Sequence, residues 1–494
     1  MKNAIVKTLT LLLVVCMAAT LFVGCGSGGT TSSAVPESSA PAGFKDGGEI
    51  DFNGGENSTV SNGNQNQTAS KGDDNTISAE INSDAEDQGG GLMVTDNDEV
   101  FKNIPANLKG KTVIFADWGE ASADEYQKVL TKFTADTNIK VKMLRLAQAD
   151  YISKVSQQIA AGSPPDVAAC NSDYPQALEI VQPLPAVFDV NDGFWDPRVS
   201  EATKVGGKYF FVNTYNSPFT GGYVVFYNKK IFNNNALRSP QDYINKGEWT
   251  YENMFQAMRD VAKLGYDGGS IGTMVLAEQM GVSLINYDQK SGTFTGTATD
   301  NRLIKALQYV ADARDEGITG NVDLYDFVNG HLGIAVAGTS GLKYNGRYAN
   351  MAPSDIGVVP LPTSYDGKEL KYMPLGYRGY GICKGAKNGE AAYYMLRYFL
   401  DLNKYEPAGA DIFANKILEK YYRQTQLPLF QKSPLYFEYY QGALTLIGKG
   451  FGNAEWVGVT KASSGQVAVE LQKMQNVVDS AAAAASAKVK DYTK

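Results

Sequence analysis

The stretch KTVIFADWGEASADEYQKVLTKFTADTNIKVKM, residues 111–143, decides the fold. It opens on 111–116, a short apolar run of the kind that forms a buried strand. Ser122, with Glu125 three places on, is the reciprocal pair that starts a helix. Tyr126, Val129, Leu130 and Phe133 recur at helical spacing, and Asn138 ends that helix. Residues 139–143 then alternate as a second strand. Working outward, Asp150 is placed to cap a second helix with Ile152, Val155 and Ile159 on one face; Gly162 and Pro164-Pro165 stop it. Residues 166–170 (DVAAC) read as a third buried strand. Strand, helix, strand, helix, strand at these spacings predicts a parallel α/β sheet. Ligands of such sheets sit beyond the carboxyl ends of the strands. That rule points at Asp117, Trp118, Gly119 and Glu120 after the first strand, and at Asn171, Ser172 and Asp173 after the third.

Composition separates this body from what precedes it. The chain has 494 residues and a net charge of -8, but 14 of its 53 acids lie in 26–100 against two bases there. Residues 101–494 hold 39 acids and 41 bases, so the body is nearly neutral. A nucleic-acid binder needs a basic surplus to displace counterions, and this body lacks one. All 29 Tyr and all 4 Trp lie beyond residue 100. A single histidine, His331, excludes a multi-His zinc site, and no close pair among Cys16, Cys25, Cys170 and Cys383 suggests a metal knuckle or a redox motif. No cofactor is expected. With 394 residues, the body can bury a large core and is expected to divide into two lobes.

The first 25 residues read as a secretory signal: Lys2 and Lys7 precede an apolar run over 9–23 that is too short to cross a bilayer. The run ends in Gly24-Cys25, which resembles a bacterial lipobox. The resemblance implies cleavage before Cys25 and lipidation of its thiol. Residues 26–100 are Gly, Ser, Asn, Asp, Glu and Gln with almost no large apolar side chains. Such a segment cannot offset its ordering entropy and is expected to be a disordered tether, about 45 Å end to end.

Across the body, several segments resemble the extracellular solute-binding proteins of bacterial ABC importers, carbohydrate type (family 1). They are VIFADWGE (113–120), FTADTNIKVKM (133–143), IAAGSPPDVAA (159–169), GGYVVFYNKKIF (221–232), GEWTYENMFQA (247–257), SDIGVVPLP (354–362) and GYGICKGAKNGEAAYYMLRYFL (379–400), in the family's order. The resemblance implies a two-lobed periplasmic-binding-protein-like α/β fold of type II, with lobes joined by crossing strands near 223–227, near 356–360 and after Leu400. The first lobe is expected over 101–222 and 355–402, the second over 223–354 and 403–494. Thr250 and Asp300 cap expected second-lobe helices, and 464–490 forms a last helix.

The resemblance also implies the activity: a lipid-anchored receptor, not an enzyme, on the extracytoplasmic face of the cell membrane. It captures a sugar or oligosaccharide between its lobes and delivers it to a membrane permease, acting as a monomer. Sugars offer flat CH faces and hydroxyl rings, so their sites pair aromatic plates with planar polar groups in a cleft. The candidate residues are Trp118, Glu120, Asn171, Ser172, Asp173, Tyr215, Thr339, Ser340, Tyr377, Arg378 and Trp456, with Glu278 and Gln279 as further second-lobe candidates. Arg378 offers a planar fork of donors. Trp195 is expected in a surface turn, Trp249 before a helix cap, and His331 at a strand entrance as a packing or surface residue. Gly448–452 lacks the spacing of a phosphate loop, and 189–193 lacks the Gly and Glu of a calcium loop. Two alternatives stay open: the same fold taking a peptide, a polyamine or another polar solute, and a surface-anchored glycan-cleaving enzyme using paired carboxylates. Cys170 and Cys383 both fall in the first lobe, bridged or free.

Overall fold

The computed structural model describes residues 98–118, 124–147, 150–171, 173–218, 222–319, 325–343, 351–375, 378–450 and 452–492, the side chains of Asn171, Tyr325, Leu375 and Arg378 excepted. The expected signal, Cys25 and nearly all of the tether lie outside these residues. The helix Asp98–Lys102 straddles the boundary expected at 100; Phe101 sets its ring edge-on to Tyr398 at 5.3 Å.

The first sheet is built around Thr112–Asp117, which pairs in parallel with Lys140–Arg145 on one side and Val167–Asn171 on the other. The parallel expectation holds for these three strands. Arg378–Cys383 then returns antiparallel to Val167–Asn171 and carries Val181–Gln182 and Phe211–Val212 beyond it. The helix Asp124–Thr137 buries Tyr126, Val129, Leu130 and Phe133, as their spacing predicts. Asn138 ends it in the left-handed region, φ 57°, where a short polar side chain is tolerated. Phe115 and Phe133 are fully buried; Phe115 sits edge-on to Phe399 of the helix Gly389–Phe399 at 5.5 Å. Each such ring contributes about 2–3 kcal/mol by leaving water. Asp150 stands at the start of Tyr151–Ala160, but its side chain accepts no capping bond. Tyr151 instead anchors that helix by donating to the Ala116 carbonyl at 2.8 Å.

Asp166 fastens the edge of this lobe. Its buried carboxylate accepts from the backbone N–H of Ile114 at 2.9 Å, of Lys387 at 3.0 Å and of Asn388 at 2.8 Å. One side chain thus ties the first strand to the turn before Gly389–Phe399.

The second sheet runs Ile356–Pro360, Tyr223–Asn228, Leu332–Gly338, Asp267–Ser270. Ile356–Pro360, expected at the entrance to the first lobe, pairs antiparallel along its whole length with Tyr223–Asn228. The chain is therefore still in the second sheet at Pro360 and is back in the first by Arg378. Thr250 and Asp300 cap their helices as expected, accepting from the N–H of Asn253 and Arg302. Between the sheets, Met373–Leu375 pairs with Leu435–Phe437.

The C-terminal helix Val467–Lys490 belongs mainly to the second lobe, packing on Thr293–Gly296, Asn301–Asp315 and Tyr440–Thr445. Its end reaches the first lobe. Lys488 pairs with Glu179 at 2.8 Å, Tyr492 donates to the Leu178 carbonyl, and Lys384 donates to the Tyr492 hydroxyl at 3.0 Å. The helix Tyr440–Thr445 also meets the first lobe at the turn Gln176–Glu179.

One expectation is corrected and one open alternative is decided. Trp195 is fully buried among Phe188, Phe194 and Tyr393, with the Arg397 guanidinium 5.8 Å from its ring, not in a surface turn. Cys170 and Cys383 are free and buried. Cys170 stands opposite Gly379, four residues along the strand from Cys383, about 13 Å and beyond disulfide reach. Among the described residues no helix is long and apolar enough to cross a membrane.

Candidate functional site

Strand ends set the first wall. Trp118 follows Asp117 directly, is 7 % exposed, and meets Tyr151 edge-on with ring centroids 5.0 Å apart. Asp173, half-buried, follows the third strand; its negative charge and that of Asp117 act on the Tyr151 hydroxyl, whose pKa burial has already raised. Asn171 and Arg378 stand directly opposite each other in the sheet register, so the structure brings those two candidate positions together. Their side chains, and all of Glu120, Ser172 and Tyr377, lie outside the described residues.

The second wall comes from four segments. Thr339 and Ser340 sit in the turn Thr339–Leu342, and the Thr339 N–H donates to the Gly222 carbonyl at 2.9 Å, just before Tyr223. Glu278 lies in the helix Val275–Gln279 and Glu438 follows the strand Leu435–Phe437. Trp456 is 8 % exposed, on the helix Ala454–Lys461, where Asn453 caps its backbone; its ring stands 5.9 Å from that of Tyr440.

These groups form one electrostatic neighbourhood. Burial pushes the Glu278 carboxyl up to about 8. Burial raises Glu438 as well, and the negative charges of Glu278 and Asp173 push it further. Glu438 accepts a backbone bond from Gln441 at 3.0 Å, which opposes the rise without cancelling it. Tyr223 and Tyr440 are raised chiefly by burial, and both feel Glu278 and Glu438. Asp173 is thus felt by Glu438, and Glu438 and Glu278 are felt by Tyr223 and Tyr440. Burial thus favours the protonated form of both glutamic acids, and a protonated carboxyl can donate as well as accept a hydrogen bond. Aromatic faces beside such groups suit a guest with both apolar faces and hydroxyls.

Other candidates are engaged elsewhere. The Tyr215 ring carries the Arg198 guanidinium at 5.1 Å, and Arg198 in turn donates to the Phe430 and Ser433 carbonyls. Gln279 accepts from Tyr251 at 2.6 Å and donates to the Pro362 carbonyl at 3.1 Å, holding its helix in place. Trp249 donates to the Pro360 carbonyl at 2.9 Å. His331 is exposed at its strand entrance. Among the described residues no three His, Cys, Asp or Glu side chains stand together to hold a metal ion.

Sequence reasoning missed Tyr151, Tyr223, Glu438 and Tyr440. A signal existed for Glu438: it is the only charged residue in the aromatic run LYFEYY, 435–440. An acid set among side chains that seek burial is either a packing error or a functional group.

The profile of the bacterial extracellular solute-binding protein family matches residues 116–401. Comparison with curated proteins gave no match. Among solved structures, the galacto-N-biose-/lacto-N-biose I-binding protein of an ABC transporter from Bifidobacterium longum, in complex with lacto-N-biose, is similar at TM-score 0.55 and 15% identity, over 74% of this chain and 96% of that one. The cyclic alpha-maltosyl-1,6-maltose binding protein from Arthrobacter globiformis is similar at 0.52 and 16%, over 78% and 100%. The GacH receptor of Streptomyces glaucescens, solved unliganded and with acarbose, is similar at 0.51 and 18%, over 77% and 99%. At these identities the likeness is one of fold.

Proposed function

The chain belongs to the bacterial extracellular solute-binding protein family, and from that premise we propose that it is the receptor of an ABC importer for a sugar or oligosaccharide. The observation that carries this reading is a set of nearly buried aromatic rings, Trp118 against Tyr151 and Trp456 against Tyr440, beside buried carboxyls whose pKa burial raises. Rings stack on the CH faces of a sugar while Tyr223, Tyr440, Glu278 and Glu438 exchange hydrogen bonds with its hydroxyls. A ligand that touches both lobes favours the closed form by its differential affinity, and the closed form docks on a permease. Structures of similar fold hold lacto-N-biose and acarbose.

The protein acts outside the cytoplasmic membrane, as its family does. We assign its attachment to lipid on Cys25, followed by a tether over 26–100, with lobes 101–222 plus 355–402 and 223–354 plus 403–494 adjusted for the strand Ile356–Pro360. Acyl chains contribute about 0.8 kcal/mol per buried CH₂, so dual acylation holds a protein stably. Replacement of Cys25 by Ser is expected to release the protein from membranes.

Catalysis is disfavoured. A glycosidase needs one ionised carboxylate beside its acid. The matched family is one of solute-binding proteins, which favours capture over turnover. The test is a thermal-shift screen against sugars with small-angle scattering on the hits. Binding to the native state raises the melting temperature by mass action. A sugar that raises it and compacts the protein supports the reading; a full screen with no shift overturns it.

A further inference from the structure

The helix Ala454–Lys461 carries Trp456 and is eight residues long. A helix that short is not stable on its own, so outside contacts decide where it lies. Its N-terminal end is held locally. Asn453 accepts from the Trp456 N–H at 2.9 Å and donates to the Gly450 carbonyl at 2.7 Å, and Lys449 pairs with Glu455 at 2.6 Å. Its C-terminal end leaves carbonyls that no residue further along the helix can meet. Arg314 meets them. From the last turn of Asn301–Asp315 its guanidinium donates to the carbonyls of both Thr460 and Ala462. The next residue, Asp315, accepts from the Ser464 N–H at 2.8 Å, so the turn beyond the helix is fastened too. A cation suits the negative end of a helix, and the planar fork spans two carbonyls at once. The helix that bears Arg314 also packs on Val275–Gln279. One rod therefore braces two segments of the second wall.

We propose that Arg314 is a positioning residue: it fixes the helix Ala454–Lys461 so that the Trp456 ring keeps its place beside Tyr440, and the grip on a sugar depends on it at one remove. Thr460 stands about one helical turn beyond Trp456, so slack at Thr460 is passed to the ring. A loosely held ring must be ordered when the ligand arrives, and that ordering is subtracted from affinity. The inference rests on the carbohydrate reading, in which Trp456 stacks on the ligand, and adds a residue that reading does not use.

The experiment is fluorine NMR of the whole protein labelled with 5-fluorotryptophan, which gives a signal for each of Trp118, Trp195, Trp249 and Trp456. Trp456→Phe assigns the last. Arg314→Lys keeps the charge but loses the fork, and Arg314→Met loses both. Each is expected to shift or broaden the Trp456 signal and to leave the other three in place. Arg259→Ala breaks the exposed Arg259–Glu316 pair at 2.7 Å, at the end of the same helix, and is expected to move none. Calorimetric titration with lacto-N-biose, maltose oligomers and any sugar the thermal-shift screen returns reads the consequence. Affinity in Arg314→Lys is expected to fall about threefold to tenfold, with Arg259→Ala at the parent value. Should Arg314→Met unfold, Arg314→Lys is read alone. A Trp456 signal that stays, or four signals that move together, overturns the inference. So does a Trp456 signal that moves while a bound sugar keeps its parent affinity. These outcomes leave the carbohydrate reading standing, whereas a parent protein that binds no sugar overturns both.

Discussion

Gly442 of the helix Tyr440–Thr445 rests against the carbonyl of Tyr174, with no room between them for a methyl group. The contact joins the C-terminal segment to the first lobe beside Asp173. Gly442→Ala must push the two apart, and overpacking of this kind costs about 1–3 kcal/mol. Urea denaturation measures it. Gly450→Ala, where the added carbon meets nothing within 4 Å, serves as the control and is expected to change stability by under about 1 kcal/mol.

Stability should depend on pH through the buried acids. Glu278 is raised to about 8 and Glu438 is raised as well, against about 4.3 for Glu in an unfolded chain. The native state keeps protons that the unfolded chain has already lost. The stabilisation is complete below about pH 4.3 and is lost as pH rises toward 8, on the order of a few kcal/mol for Glu278. Urea midpoints at pH 5, 6.5 and 8 are expected to fall in that order, and Glu278→Gln to flatten the decline. A variant with the parent's slope would assign the dependence to other groups.

Trp456→Ala removes the ring that faces Tyr440 at 5.9 Å. Sugar affinity is expected to fall about tenfold to a hundredfold, with Trp456→Phe retaining most of it. Circular dichroism of both variants separates this from unfolding, since losing a buried Trp side chain also costs about 3–5 kcal/mol.

Asp166→Ala leaves three backbone N–H groups without their acceptor. A loss of about 2–4 kcal/mol is expected, partly recovered by Asp166→Asn, which keeps one oxygen. Ligand affinity measured well below the melting temperature is expected to stay unchanged, because Asp166 lies at the opposite end of the sheet from Trp118.

The fold was legible wherever burial imposes a period. Val113 and Phe115 in the strand, and Tyr126, Val129 and Phe133 in the helix, alternate and recur as their faces demand. The candidate site was readable as positions beyond strand ends, as at Trp118 and Asp173, and its role stays a proposal. It was hidden where partners come from distant segments. Nothing local in Glu438 announces Glu278, 160 residues earlier; only the folded chain brings their charges together. Asp150 illustrates the converse, a residue of the right type at the right place whose side chain makes no cap, while Tyr151 ties the helix to Ala116. Trp195 was misplaced because a Gly-Phe-Trp-Asp-Pro turn looks solvent-facing, whereas Phe188 and Tyr393 from outside the turn enclose it together with its neighbour Phe194.

The grip of Lys488 and Tyr492 on Glu179 and Leu178 makes the last helix a strap over the joint. Any swing of the two halves must stretch or slip it. A pair of spectroscopic labels placed across that seam would therefore work as a ruler, reading each capture event from a point that the guest itself never touches.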